Sequence, residues 1–466
     1  MAASTGASKK LLIKWIVSLL IPILVYFLLP VDGKTVTQPM AMFLAVTVWA
    51  VCLWATEAMN DVAVALILPV LYVALCGVKQ GVVYSPWLSE IPLIAIGGFA
   101  LGKMMMDTGL GRRIGLSCVR IMGGSYVGTL IGFTIAMMIV SAMVPSVIGK
   151  AAIFCAISIP LCDALDYKPK SREATAIVLT CFLAEAGSNL CYMTGASTTV
   201  LGLGIIGKAT GIHTTWLEYA MHNFLPGLFY TAMSLALVIL ILPTKVNRQA
   251  LRAVVHAKYE ELGPVTPDQK KTAILLIATI IMLVTDKFHG IGAGLVMIGV
   301  TFVAFLPGIK LMDGPKFAKI NFAPLFFVMG CMTIGSAGGA LKVTGWLAGL
   351  ALPYFQNLGE STIGLASYAL GVVVNFLLTP LAGIGSMTAP LSEFALQLNM
   401  DPRILFYPFM FGMDNYIFPY EFAVLLFFFS TGYIHFGDMV KVLAARMVLA
   451  AAFVVFIGIP YWKFVI

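Results

Sequence analysis

Apolar stretches of about twenty residues, the length of helix that a bilayer core demands, recur from one end of this chain to the other. In hydrocarbon every backbone N–H and C=O must be paired, and segments of that length achieve this as spanning α-helices. Barrel strands are half as long and alternate apolar with polar residues, a pattern these runs lack. Composition agrees: 60% of the 466 residues are apolar and 11% are charged, against roughly 25% charged in soluble domains. The net charge of +8 lies in short loops between the runs, the bias of cytoplasmic loops, so it implies no nucleic-acid partner.

Four charges interrupt this apolar background. Lys150 is the only charged residue between Ile121 and Leu161, and Glu185 the only one between Ala174 and Gly207. Asp414 and Glu421 stand alone between Ile404 and His435. A charge at mid-membrane depth costs roughly 2.5–3.5 kcal/mol on insertion scales and ordinarily faces a partner or a cavity. All four lie beside Gly, Pro, Ser, Thr and Asn clusters that break helices. The combination implies a polytopic transporter. Eight cysteines are scattered singly without CxxC spacing, and the five histidines are dispersed. Neither a disulfide framework nor a metal cluster is expected.

Spans are expected near 11–30, 38–56, 61–79 and 90–107. The N-terminal run, behind Lys9, Lys10 and Lys14, lacks a cleavage motif and reads as a first spanning helix with its tail inside. The apolar block 126–162 is broken at Pro145-Ser146 and Gly149-Lys150 and has basic residues on both flanks. That reads as a re-entrant hairpin, which a membrane tolerates only against protein or a water-filled cavity. A broken helix over 174–207 and a span at 223–243 complete a first half, residues 1–243. Residues 244–271, with Lys245, Arg248, Arg252, Lys258, Lys270 and Lys271, form a cytoplasmic linker. The second half, 272–466, repeats the plan: spans, a hairpin at 361–395, a broken helix at 403–429 and a last span at 447–463. Two hairpins entering from opposite faces are the signature of an inverted repeat.

Two constellations carry candidate chemistry. The first joins Ser146, Gly149 and Lys150 at the hairpin to Glu185, Ser188, Asn189, Thr194, Gly195 and Ser197 at the helix break. Broken helices aim free N–H groups at an anion, and freed carbonyls and hydroxyls ligate a hard cation such as sodium. The bland reading makes Pro145 a kink and the small residues packing points. The second comprises Thr379, Gly383, Ser386 and Thr388 with Asp414, Asn415 and Glu421. Asp414 and Glu421 are seven apart, which on an unbroken helix shares one face, although Pro419 between them removes a ladder bond. The bland alternative is a pair of structural carboxylates. Glu57 and Asp61 read as an interfacial turn, Lys103 and Asp107 as an interfacial ion pair.

Leu53-Trp-Ala-Thr-Glu-Ala-Met-Asn-Asp-Val-Ala-Val-Ala-Leu-Ile-Leu-Pro69 and Ile96-Gly-Gly-Phe-Ala-Leu-Gly-Lys-Met-Met-Met-Asp-Thr-Gly-Leu-Gly-Arg-Arg-Ile114 resemble early spans of the divalent anion:sodium symporter family. Ser430-Thr-Gly-Tyr-Ile-His-Phe-Gly-Asp-Met-Val440 is similar to that family's late loop. The resemblance implies an all-α membrane fold of about eleven spans plus two re-entrant hairpins, a homodimer and an elevator-like movement. It also implies di- or tricarboxylate or sulfate substrates, commonly cotransported with sodium, here near Ser146 and Thr194. The family carries Ser-Asn-Thr at each hairpin tip; this chain reads Pro145-Ser146-Val147 and Thr379-Pro380-Leu381. Lys150 follows the first tip, near the family's sodium, where a fixed ammonium would replace that ion's charge.

The expectation is a secondary active transporter of small anions, coupled to sodium or protons or working by exchange. It would lie in the plasma membrane, N-terminus cytoplasmic and C-terminus external. The alternative is a cation/proton antiporter with Asp414, Glu185 and Glu421 as ion carriers. An integral membrane enzyme or receptor is disfavoured, since no nucleophile–base motif or sizeable soluble domain is present.

Overall fold

The computed structural model describes residues 2–56, 58–122, 124–144, 146–244 and 246–466, with side chains from Leu12 onward. Glu57, Pro145 and Lys245, each used in the sequence reading, lie outside the described residues, as do the side chains of Lys9 and Lys10. Every regular element among the described residues is helical.

The chain opens with α1 (Ala2–Leu28), α2 (Gln38–Thr56) and α3 (Asp61–Ala74). Asn60 starts α3 by accepting from the N–H groups of Val62 and Ala63 at 3.1 and 3.2 Å, satisfying two of the donors that a helix start leaves open. There follow α4 (Ile91–Thr108), α5 (Leu110–Met122), α6 (Tyr126–Ser141) and α7 (Val147–Ala164). Ser125 caps α6 and Ser146 caps α7, through the N–H groups of Gly128 and Gly149. Next come α8 (Arg172–Asn189), α9 (Ser197–Thr210) and α10 (Trp216–Ile241), the last begun by a reciprocal Thr215–Glu218 capping box. The middle contains α11 (Arg248–Glu260), α12 (Pro267–Val284) and α13 (Ala293–Phe305). Then follow α14 (Ala323–Ala340), α15 (Val343–Phe355), α16 (Glu360–Leu377), α17 (Pro380–Gln397) and α18 (Pro402–Met413). The chain closes with α19 (Ala423–Ser430) and α20 (Phe436–Val465), which widens into a π turn at Val454–Gly458. Among the described residues seven helices are long and apolar enough to cross a membrane, and five shorter apolar helices accompany them. The protein is an all-helical, multi-pass membrane protein.

The sequence-based spans differ in detail. The last helix begins at Phe436 rather than 447, and the stretch 244–271 contains a capped helix, α11. The segment 403–429 breaks at Met413: Asp414–Phe418 is non-helical, Pro419–Glu421 makes one 3-10 turn, and α19 follows.

Two compact units are built from interleaved segments. The first takes the chain up to Pro92, Val200–Thr214 and Phe322–Met413. Its core includes the Trp54 and Phe327 rings, 5.3 Å apart, and those of Phe43 and Tyr72, 4.9 Å apart. Gly371 of α16 and Gly412 of α18 let these two helices touch backbone to backbone: a Cβ on Gly412 would lie 2.1 Å from the Tyr368 carbonyl oxygen. Such small-residue contacts hold spanning helices together where burial from water supplies no force.

The second unit takes Leu93–Thr199, Thr215–Asn321 and Asp414–Ile466. Here α7 and α6 pack with α8, and α8 packs with α10 and α20. The loop after α11 is fastened to α5 by Arg113, which is buried. Its guanidinium donates to Gln269 Oε1 at 2.8 Å and to the carbonyls of Leu262, Gly263 and Pro264 at 3.0, 2.9 and 3.2 Å.

Candidate functional site

The first constellation comes together inside the second unit. Helix α8 ends at Asn189, the chain makes one 3-10 turn at Met193–Gly195, and α9 resumes at Ser197. Lys150, on the first turn of α7, projects into this break and is 0% exposed. Its Nζ donates to Ser141 Oγ at 3.2 Å, to the Gly195 carbonyl at 2.7 Å and to Asn189 Oδ1. Glu185 Oε1 lies 3.9 Å from the same ammonium and accepts from Asn189 Nδ2 at 3.0 Å. One hydroxyl, one amide, one carbonyl and one carboxylate oxygen thus surround a single positive charge. A buried charge persists only where paired and hydrogen-bonded, and this one is both.

The surrounding residues fix the cage. Ser188 Oγ shares a 2.7 Å hydrogen bond with Ser141 Oγ and lies 3.1 Å from the Glu185 carbonyl it donates to. Thr194 Oγ1 donates to the Ala142 carbonyl at 2.8 Å and accepts from Trp216 Nε1 at 3.1 Å. Tyr219 of α10 ties off the Leu190 carbonyl at 2.9 Å. Gly195 has no room for a side chain, since a Cβ there would lie 2.5 Å from the Asn189 carbonyl oxygen. Of the expected residues, Ser146 and Gly149 serve as the cap of α7, and Ser197 opens α9.

The second constellation is divided. Thr379, Gly383, Ser386 and Thr388 belong to the first unit; Asp414, Asn415 and Glu421 belong to the second. The break at Thr379-Pro380 starts α17, and Gly383, Ser386 and Thr388 lie within that helix. The two hydroxyls return to their own helix, at the Ala382 and Ile384 carbonyls 2.8 and 2.6 Å away. Glu421 is buried and accepts from the Ile417 and Phe418 N–H groups at 3.1 and 2.9 Å, so it closes the turn before α19. Asp414 faces elsewhere. The helix ends at Met413, so the seven-residue spacing to Glu421 no longer sets a shared face.

The partner of Asp414 is Arg446 of α20, a residue the sequence reading passed over. Arg446 is 0% exposed. It donates to the Asp414 carboxylate and, at 2.7 Å, to the Asp414 carbonyl; Nε reaches Ser234 Oγ at 3.0 Å. Its guanidinium carbon stands 4.4 Å from the centre of the Tyr230 ring, a cation–π contact. The available signal was its isolation: no charge lies between Arg446 and Lys463, or between Lys441 and Arg446. The second unit therefore contains two buried ion pairs, Lys150–Glu185 and Arg446–Asp414, of balanced charge. Glu185 and Asp414 are close enough to interact electrostatically.

The first unit has an open cleft of about 790 Å³ beside Gly335 and Gly339 of α14, lined also by Lys208, Lys342, Trp346 and Glu393. Lys103 and Asp107 form the ion pair expected near the end of α4.

This fold is met in a solved structure, and the sequence has relatives. Over 78% of its length the chain superimposes on 84% of the crystal structure of the Alcanivorax borkumensis YdaH transporter, with a TM-score of 0.53 and 14% identity. It is 24% identical to dicarboxylate transporter 1 of the Spinacia oleracea chloroplast, over 45% of this chain and 38% of that protein. It is 22% identical to dicarboxylate transporter 2.1 of the Arabidopsis thaliana chloroplast, over 82% of this chain and 70% of that one. The chain thus spans well under half of the spinach relative. Residues 9–466 match the family described as the sodium:sulfate symporter transmembrane region, and the chain belongs to that family.

Proposed function

We propose that the protein moves small organic anions, di- or tricarboxylates, across a membrane, with Lys150 supplying the positive charge that a bound sodium would otherwise bring to the first helix break. The observation that carries this reading is the oxygen cage around Nζ: Ser141 Oγ, Asn189 Oδ1 and the Gly195 carbonyl, with Glu185 Oε1 at 3.9 Å. These are the donors a hard cation takes, and here an ammonium occupies them. The N-termini of α7 and α9 on either side contribute partial positive charge, which favours an anion. Two relatives named as dicarboxylate transporters support the substrate class.

The test is the thermal stability of the purified protein against mono-, di- and tricarboxylates, sulfate and phosphate, each with and without sodium. A ligand at a hundred times its dissociation constant adds about 2.7 kcal/mol to the native state. The expected result is stabilisation by dicarboxylates irrespective of sodium, lost in Lys150→Ala. Unchanged anion binding and ion dependence in that variant refute the role of Lys150. Stabilisation by sodium or pH alone, with every anion inert, favours the cation/proton antiporter. The same reading carries an inverted repeat about the 244–271 segment, a cytoplasmic N-terminus, an external C-terminus and a homodimer. Cysteine labelling at each end and the mass of the solubilised protein test the last three.

A further inference from the structure

Glu185 has one oxygen engaged and one bare. Oε1 accepts from Asn189 and faces Lys150, whereas Oε2, equally buried, takes no hydrogen bond among the described residues. A buried carboxylate oxygen without a donor is costly enough to demand a reason. We infer that Glu185 Oε2 is the site that accepts a coupled proton when the anion binds. This rests on the anion-transport reading above and names the coupling ion it left open.

Coordination chemistry separates a proton from sodium. A hard metal cation needs several oxygens at once. The oxygens of Ser141, Asn189 and Gly195 that such an ion would use already receive Lys150. A proton needs one oxygen, and Oε2 is one.

Charge then links the proton to the anion. The charged and titratable groups that act on Glu185 are Lys150 from α7 and Asp414 and Tyr416 from the broken segment; Arg446 of α20 and Tyr230 of α10 stand behind these, against Asp414 and Tyr416. Helices α6 and α19 bring no charged group to it. Arg446 is committed to Asp414, Ser234 and the Tyr230 ring. Lys150 is consequently the cation that Glu185 balances. One proton from the solvent forms an O–H bond at Oε2 and leaves Glu185 neutral. The ammonium is then one negative charge short, and a substrate carboxylate supplies it. When the carboxylate leaves, the unbalanced ammonium favours the ionised form of Glu185, the O–H bond at Oε2 breaks, the proton returns to the solvent and the pair is restored. Neither proton nor anion is held firmly without the other, which is symport.

The experiment counts protons. Succinate binding to the purified full-length protein is followed by calorimetry in buffers of different ionisation enthalpy, which gives the protons taken up per succinate bound. Wild type is expected to take up about one. Glu185→Gln, already neutral, is expected to bind succinate with no proton uptake and with an affinity that no longer falls as pH rises. Glu185→Asp, which keeps a carboxyl, is expected to restore uptake. Proton uptake that persists in Glu185→Gln, or a Glu185→Gln that folds but cannot bind succinate, overturns the inference. So does a wild type that binds succinate with sodium and without protons. If wild type binds no succinate at all, the dicarboxylate reading fails first, before any proton is counted, and takes this inference with it.

Discussion

Replacing Arg446 by methionine is the sharpest test of the second ion pair. The substitution keeps an unbranched apolar stem but removes the charge that offsets Asp414. It deletes hydrogen bonds to the Asp414 carboxylate and carbonyl and to Ser234 Oγ, and the contact with the Tyr230 ring. Asp414 is 6% exposed, so water cannot take over. Stranding one member of a buried pair costs about 3–5 kcal/mol, and the desolvated ring contact adds about 1–2 kcal/mol. A loss of about 4–7 kcal/mol raises the unfolded fraction some thousandfold or more, since every 1.4 kcal/mol is about tenfold. In Asp414→Asn with Arg446→Met the stranded charge is gone, and a buried ion pair replaced by neutral groups is often close to neutral in stability. The double variant should therefore sit at least about 3 kcal/mol above the sum of the singles, at or beyond the upper end of coupling between contacting residues. The assay is denaturant-induced unfolding of the detergent-solubilised protein across the four members of the cycle. A single Arg446→Met variant within about 1 kcal/mol of wild type, or a double variant that equals the sum, refutes the reasoning.

Gly195→Ala should destabilise by about 1–3 kcal/mol, the cost of forcing atoms into a packed site. Its Cβ meets the fixed Asn189 backbone rather than a movable side chain, and thermal unfolding reads the effect. Arg113→Ala should raise amide exchange at Leu262 and Gly263 by about thirtyfold, as one charged donor group worth about 2 kcal/mol is lost; unchanged exchange there would contradict the fastening of that loop. Asp32, in the exposed turn after α1, accepts from the N–H groups of Lys34, Thr35 and Val36 at 2.9, 2.7 and 2.9 Å. Those bonds, that to Val36 foremost, hold its carboxyl down at about 2. Its contribution to the turn is complete above the usual carboxylate range and declines as pH falls from there through about 2. Nuclear magnetic resonance of the Val36 amide should follow that course in wild type and lose it in Asp32→Ala.

Lys150 and Glu185 were legible in the sequence because a lone charge in an apolar run demands a partner, and the nearby Gly and Ser residues said where the helix would break. Their actual partners were less so. Asn189 as the amide bridging both charges follows from a helix break whose turn geometry no spacing rule gives. Arg446 was overlooked because charges at 438 and 441 made it resemble the flank of a span that the reading began at 447. Helix α20 starts at Phe436, so Arg446 lies ten residues inside it. Thr379-Pro380 reads as a break in the sequence, and there α17 starts, but the hydroxyls of Ser386 and Thr388 bond to carbonyls four residues back, a habit of buried hydroxyls in helices that sequence alone does not distinguish from ligand binding. The linker's basic residues were visible, whereas its fastening by Arg113 spans about 150 residues of chain and leaves no local trace.

The interleaving of the two units has a consequence for how the protein is made. The chain passes from one unit to the other at 92/93, 199/200, 214/215, 321/322 and 413/414. The first unit cannot be finished until Met413 has left the ribosome, and the second waits for the segment that ends at Ile466. Domains that are continuous in sequence fold one after another during synthesis; these two cannot, because each needs segments made after parts of the other. Asp414 enters the membrane 32 residues ahead of Arg446, so for that interval its carboxylate has no guanidinium to meet. A ribosome that pauses between them leaves the nascent chain with its second ion pair half made.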